Sequence, residues 1–295
     1  MRRQFHDTVL ELAEHDERIA VIVGDISGFL FRDFAAAYPD RFYNMGICEN
    51  TLISVTAGMS SQGFHPFVHT INPFLTDRSY EQIKLDLCYN GWSGNIVTCG
   101  ASFDYAWDGA THHTYTELAM LRLLPGIEVL QPGNKKEADA LIRSQYANGK
   151  PTYFRMSDHS HDMETEIEFG KGVVVKDKQA PVTVITAGPI LANVLPAVED
   201  LDVNLLYFHT LKPLDAELIA RYRDTRILVV HDAFGLHEAV AAAVPDLRIA
   251  YHGMPDQFCC FYGSVHDIRK EIGLDPDSIR EAVRKRLSQA AEMPA

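Results

Sequence analysis

No apolar run in these 295 residues approaches the roughly 20 that a bilayer-spanning helix requires. No apolar stretch that a translocon could use follows Met1-Arg2-Arg3-Gln4, so a signal peptide is not expected. Cysteine is sparse. Cys48, Cys88, Cys99, Cys259 and Cys260 are an odd number in a long chain, which fits free thiols in a reducing cytoplasm. The adjacent pair Cys259-Cys260 lacks metal-ligand spacing and argues against a zinc site. No Gly-x-Gly-x-x-Gly follows a strand, and no Gly-Lys-Ser/Thr phosphate loop is present, so the nucleotide fingerprints are missing. Ser27-Gly28 has no elbow context for a serine hydrolase. If the chain is an enzyme, its chemistry is expected to come from a cofactor. Positive charge is outnumbered, with 27 Lys and Arg against 40 Asp and Glu and a net charge of −13. Such a surface repels phosphodiester backbones and anionic lipid, which argues against nucleic acid and membranes as partners. An anionic ligand would need a local basic or dipolar pocket.

The composition is that of a soluble globular protein, 46% hydrophobic and 23% charged, and the length suits two medium domains. Short β-branched runs alternate with amphipathic segments. Strands are expected at residues 19–25, 95–100, 126–130, 151–155, 182–188, 203–208 and 226–231. Near-continuous apolar strands of this kind are covered on both faces, as in parallel sheets flanked by helices. Helical patterns run over residues 4–17, 50–62, 77–89, 135–146, 214–223 and 275–291. The alternation predicts an α/β protein of two doubly wound domains, each with a mainly parallel sheet flanked by helices. The polar stretch 156–172 lacks periodicity and reads as the connection, giving domains over 1–165 and 166–295.

Open parallel sheets bind ligands at the carboxyl ends of their strands, so the segments just after the strands carry the information. Glu49 opens an apolar, small-residue helix. It is either a helix-start acid favoured by the macrodipole or a buried carboxyl that bonds a ligand ring nitrogen. Asp108-Gly109-Ala110-Thr111-His112-His113 is either an exposed loop or a place for proton transfer and for holding substrate hydroxyls. Adjacent histidines rarely converge on one metal ion, and no metal ligands are assigned in this chain. Phe74, in Ile71-Asn72-Pro73-Phe74, is either core or one wall of a pocket for a flat heterocycle.

The order and spacing of these segments resemble the pyrimidine-binding and C-terminal domains of the transketolase family, the half that stands alone as the C-terminal subunit of split, two-component transketolases. The resemblance rests on Arg2, Val23-Gly24-Asp25-Ile26, Gly46-Ile47-Cys48-Glu49-Asn50, Phe74 ahead of Arg78-Ser79-Tyr80-Glu81-Gln82-Ile83, and Asp108-Gly109-Ala110-Thr111-His112. Leu121–Gly126, Leu211–Asp215 and Tyr262-Gly263-Ser264 extend it over essentially the whole chain.

The resemblance implies thiamine diphosphate as cofactor and transfer of a two-carbon ketol unit from a ketose donor to an aldose acceptor. It implies that Glu49 hydrogen-bonds the aminopyrimidine in a dry pocket, where such bonds strengthen. Phe74 matches a ring that stacks on the pyrimidine, with Ile71 as an apolar companion, and Asp25 an acid near the thiazolium. His112 and Asp108 match residues that hold the donor's oxygens, and Arg2 one that grips a sugar phosphate. Arg155 and Asp158 fall where the family carries an anion-binding arginine. Asp158 brings the wrong charge there, and Phe29 stands where a phosphate-binding serine is usual. Losing a bidentate arginine to a carboxylate disfavours a phosphate dianion, so either Arg2, Arg155 and neighbouring histidines rebuild the anion site or the sugar carries a different end group, sulfonated or unphosphorylated. The usual glycine-rich turn of the second domain is replaced by residues 232–237. No Gly-Asp-Gly…Asn pattern for diphosphate is present. The expected partner is therefore an N-terminal transketolase subunit that holds diphosphate through Mg2+ or Ca2+, two copies of each chain forming a heterotetramer. Two other readings remain open: the beta subunit of a 2-oxo acid dehydrogenase-like enzyme, and a non-catalytic transketolase-like subunit.

Overall fold

A computed structural model describes residues 1–260 and 262–291 of the chain. Phe261 and residues 292–295, the last of the expected second domain, lie outside the described residues.

The first half runs α1 (Arg2–Ala13), β1 (Ile19–Val23), α2 (Arg32–Ala37), β2 (Phe42–Asn44), α3 (Glu49–Ser61), β3 (His65–Ile71), α4 (Asn72–Thr76), α5 (Tyr80–Gln82), β4 (Gly94–Cys99), α6 (Glu117–Arg122), β5 (Glu128–Leu130), α7 (Lys135–Gln145) and β6 (Pro151–Arg155). The second half runs β7 (Val173–Lys176), β8 (Val182–Ala187), α8 (Leu191–Val198), β9 (Asn204–Phe208), β10 (Thr210–Lys212), α9 (Ala216–Ala220), β11 (Arg226–His231), α10 (Leu236–Ala243), β12 (Arg248–Gly253), α11 (Val265–Glu271) and α12 (Pro276–Ala291). The expected α/β class with mainly parallel, helix-flanked sheets is what forms. One sheet has the order β10-β5-β6-β4-β3-β1-β2 and the other β12-β11-β8-β9-β7.

β1 is Ile-Ala-Val-Ile-Val with every residue buried, because helices cover both faces. α1 buries Phe5, Val9 and Ala13, a one-face repeat of four. α7 is capped by Asn134, whose side chain accepts from the N–H groups of Lys136 and Glu137. β10 crosses from the second half to pair antiparallel with β5. Leu118, Val129 and Tyr153 share one continuous core with Phe208, Leu211 and Leu236.

Three local expectations change. Residues 77–89 do not form one helix. A turn at Asp77–Ser79 precedes α5, and Ile83–Tyr89 winds as a π-helix. The break turns Arg78 back toward the start of α3, while Ser54 and Asn50 of α3 bond Asp86 and Gln82. The helix expected over 214–223 is only α9, capped by Asp215 through Leu218 N–H at 3.0 Å. β2, β3, β7, β10 and β12 have no counterpart among the strands expected from the apolar runs.

β1 and β3 are neighbours whose connections leave in opposite directions, β1 toward β2 and β3 toward β4. Their carboxyl ends therefore bound the crevice in which open α/β sheets place ligands.

Candidate functional site

Directly above that crevice is a cavity of about 330 Å³ lined by Gly24, Asp25, Ile26, Ser27, Phe29, Ile47, Glu49, Thr70, Ile71, Phe74 and Arg78. Gly24 forms its floor. A Cβ there would stand 3.0 Å from Leu52 Cδ1 and from Thr70 Oγ1, so only glycine leaves the strands this close. Asp25 and Ser27 take left-handed conformations, φ 68° and 63°, which carry the chain sharply out of β1. Asn44 holds Asp25 in that turn, accepting from its N–H and donating to its carboxylate, both at 3.2 Å.

His69 holds Ser27 from behind. Its Nδ1 lies 2.8 Å from the carbonyl of Val97, which can only accept, so Nδ1 carries the proton and Nε2 accepts from the Ser27 hydroxyl at 3.0 Å. Burial pulls the His69 pKa down to about 4, which keeps the ring neutral near pH 7.

Glu49 is the first residue of α3 and is 1% exposed. Its Oε2 accepts from Arg78 Nη1 at 2.6 Å, and the Arg78 guanidinium lies 4.8 Å from the centroid of the Phe74 ring. The two readings of Glu49 thus coincide in place: it opens a helix and it is a buried carboxyl in a ligand-sized cavity. Arg78 was not singled out as a site residue from the sequence, although its position four residues after Phe74 was a usable signal.

Of the other expected residues, Asp25, Ile71 and Phe74 line this cavity with Glu49. The His112 ring packs edge-on against Phe74 at 5.0 Å, and its Nδ1 lies 3.0 Å from Thr111 Oγ1. Asp108 stays exposed at the end of a 3-10 turn over Ala106–Asp108. Arg2 and Asp158 meet each other: Arg2 Nε and Nη2 donate to the two carboxylate oxygens of Asp158 at 3.3 and 3.1 Å. The turn that replaces the glycine-rich one supplies Asp232, buried between Arg155 and Arg269.

Arg155 is not brought to this group. It is 1% exposed at the junction of the two halves, donating to Glu117 and, at 2.8 Å, to the carbonyl of Thr114, with Asp232 3.9 Å away. Burial alone would lower its pKa, but Glu117 and Asp232 outweigh that and hold it above the ordinary arginine value. Its donors are committed to the fold.

Asp104 lies beneath Asp158 and accepts from the Ser157 hydroxyl at 2.8 Å and from Asp158 N–H at 2.9 Å. Burial pushes its carboxyl up to about 6, against the pull of those two bonds. His159, Asp158, Arg155 and the Met1 ammonium are the ionisable groups around it, and burial lowers the ammonium pKa. An acid whose folded pKa exceeds its unfolded value binds its proton more tightly when folded. Its contribution is therefore lost as pH rises from about 4 to about 6, by at most roughly 3 kcal/mol. The stability of the native chain minus that of Asp104→Asn, from denaturant unfolding at a series of pH values, is expected to fall across that window. A flat difference would count against the burial.

The family model described as the transketolase pyrimidine-binding domain matches residues 1–161, and that of the transketolase C-terminal domain matches residues 170–279. The chain belongs to the transketolase family. Among transketolase relatives, one of the subunits of the apulose-4-phosphate transketolase of Phocaeicola vulgatus is 29% identical over 94% of this chain and 94% of its own. The 1-deoxy-D-xylulose-5-phosphate synthase of Oleidesulfovibrio alaskensis is 29% identical over 96% of this chain, which spans 48% of that enzyme. A solved structure described as a split gene transketolase, an inactive beta4 tetramer, superposes with a TM-score of 0.86 at 28% identity, over 97% of this chain and 98% of that one.

The cavity fits the heterocycle of thiamine diphosphate. Its lining is apolar (Ile26, Ile47, Ile71, Phe74) around one buried carboxylate that can bond a ring nitrogen. The same lining carries two carboxylates, Asp25 and Glu49, against one cation, Arg78. Arg78, the cation of that lining, is paired with Glu49 at 2.6 Å. Among the described residues no group of three or more His, Cys, Asp or Glu could hold a metal ion, and no helix is long and apolar enough to cross a membrane.

Proposed function

We propose that this chain is the C-terminal subunit of a two-component, thiamine diphosphate-dependent transketolase that moves a two-carbon ketol unit from a ketose donor to an aldose acceptor. The observation that carries the reading is Glu49, a buried carboxylate at a helix start, facing Phe74 and Ile71 across a cavity at the switch point of the sheet. Thiamine diphosphate, when bound, supplies the carbon nucleophile. Glu49 holds a proton between its carboxylate and a pyrimidine nitrogen, and its dry surroundings strengthen that bond. Phe74 and Ile71 would wall the bound ring and exclude water, and Asp25, in the same lining, would serve as the acid on the thiazolium side. His112 and Asp108 orient the donor's hydroxyls beside the reacting carbon.

The diphosphate and its Mg2+ or Ca2+ are held by an N-terminal transketolase subunit, with two copies of each chain in the particle. The partner would bring positive charge beyond that of Arg78, which Glu49 already pairs with. At the far end of the substrate, Asp158 satisfies the guanidinium of Arg2, so the sugar is sulfonated or unphosphorylated rather than a phosphate ester.

Calorimetry with thiamine diphosphate and Mg2+ tests the assembly. The isolated chain is expected to bind the cofactor at least about 100-fold more weakly than the mixture with its partner, and only the mixture should transfer ketol groups. Full activity of the isolated chain would overturn the shared site, and an assembled particle that ignores the cofactor would overturn the reading.

A further inference from the structure

A file of contacts leads out of the cavity. Phe74 packs against His112, and the His112 ring lies 5.9 Å, edge-on, from the ring of Tyr105. The Tyr105 hydroxyl accepts from Arg2 Nη1 at 3.4 Å, and the remaining fork of Arg2 is closed on Asp158. Tyr105 thus lies between His112 and the Arg2–Asp158 pair.

Its place is built into the chain. Gly100 has φ 83°, and a Cβ there would lie 2.3 Å from Tyr105 Cε2, so the bare glycine is what lets the ring lie across the end of β4. The hydroxyl is also 3.5 Å from Cys99 Sγ. With its oxygen accepting from Arg2, the phenolic proton is left for Cys99 or for a ligand. Burial raises the phenol's pKa, so that proton is present at any ordinary pH.

The electrostatics of the patch select a class of end group. Arg2 is matched one for one by Asp158, and Asp104 adds a second carboxyl directly beneath, with the Met1 ammonium and His159 beside the two acids. A phosphate dianion would have to break the two-bonded ion pair and then sit beside two carboxyl groups. A sulfonate would meet the same carboxylate with only one charge to offer Arg2. A neutral hydroxyl meets neither cost: it can accept from the phenol or guanidinium and donate to Asp158 at the same time.

We infer that Tyr105, with Arg2 and Asp158, reads the neutral hydroxyl-bearing tail of an unphosphorylated sugar, and that Tyr105 is a specificity-determining residue of this site. The inference rests on the ketol-transfer reading and deepens it.

The test uses the assembled two-component complex with glycolaldehyde as acceptor. Three tailed donors are compared (xylulose, a sulfonated ketose and xylulose 5-phosphate) with hydroxypyruvate, which loses CO2 with its ketol group and has no tail to reach the patch. The native complex is expected to prefer xylulose in kcat/KM over both charged ketoses. Tyr105→Phe should lower the ratio of kcat/KM for xylulose to that for hydroxypyruvate by about 3–10-fold, the value of one hydrogen bond. Asp158→Arg should shift the preference toward xylulose 5-phosphate by roughly 100-fold or more. A native preference for either charged ketose, or an equal loss on both donors in Tyr105→Phe, would overturn the inference.

Saturation-transfer NMR gives a reading without turnover. Xylitol should show contact with the native complex, xylitol 5-phosphate should not, and Tyr105→Phe should weaken the xylitol signal. If no donor is turned over but xylitol binds in this pattern, the ketol-transfer reading fails while the tail site stands. If xylitol 5-phosphate binds better than xylitol, the tail site itself is wrong.

Discussion

Replacing Glu49 by Gln is expected to abolish ketol transfer in the assembled complex, lowering kcat by roughly 10²–10⁴-fold while the particle still forms. The substitution keeps the size and planarity of the side chain and removes only its ability to take a full negative charge. In the native chain that charge faces Arg78 Nη1 at 2.6 Å inside a cavity whose other walls are mostly apolar. An amide can still accept a hydrogen bond there, but it cannot hold a proton in exchange with a ring nitrogen.

The structural cost is small by comparison. Arg78 is nearly half exposed, so loss of the ion pair is worth on the order of 1 kcal/mol. Removing an acid from the first turn of α3 adds about 0.3–1 kcal/mol. Neither threatens a fold whose stability is on the order of 5–15 kcal/mol. Steady-state kinetics beside sedimentation and thermal melting therefore separate the two effects. Activity within about 10-fold of native in a correctly assembled Glu49→Gln complex would sink the proposed mechanism.

Much of the fold was visible in the sequence because buried parallel strands advertise themselves as unbroken apolar runs. β1, β4, β6, β8, β9 and β11 all do so. β3 does not, because His65 and His69 interrupt it. His69 turns out to be a core residue with both ring nitrogens satisfied, which no local pattern distinguishes from a surface histidine. β7 and β10 are short antiparallel strands whose existence depends on β9 and on β5 of the other half. Of the cavity residues, Asp25 was legible at the end of an apolar run, whereas Glu49, Ile71 and Phe74 sit after or at the end of strands without such runs and were legible through the family resemblance. Tyr105 was not, since its placement depends on a bare Gly100 and on an arginine 103 residues away. The place of Arg155 was hidden for the same reason. It ends a strand like the others, but its counter-charges come from α6 and from the turn after β11, which only the folded chain brings near.

That buried cluster sets the second large effect. Arg155→Met is expected to destabilise the chain by about 3–5 kcal/mol, the usual cost of removing one member of a buried ion pair. Glu117 is fully buried, its Oε2 has no hydrogen-bond partner among the described residues, and only the neutral donors Asn72 and Tyr153 would remain on its Oε1. Asp232 would keep Arg269, at 3.4 Å, with His231 and Ser102 beside it. The damage should reach the cavity. Glu117 also accepts from Asn72 Nδ2 at 3.3 Å, Asn72 Oδ1 accepts from the Tyr153 hydroxyl at 2.9 Å, and Asn72 opens α4, which carries Phe74. Denaturant unfolding of the chain measures the first consequence. The double variant Glu117→Gln, Arg155→Met should recover a large part of the loss, because it removes the stranded charge together with its partner. Equal losses in the single and double variants would show that packing around Arg155, rather than its charge, holds the two halves together. A single-variant loss below about 1 kcal/mol would mean that Glu117 takes up a proton or water reaches it, and that the junction is less closed than its burial indicates.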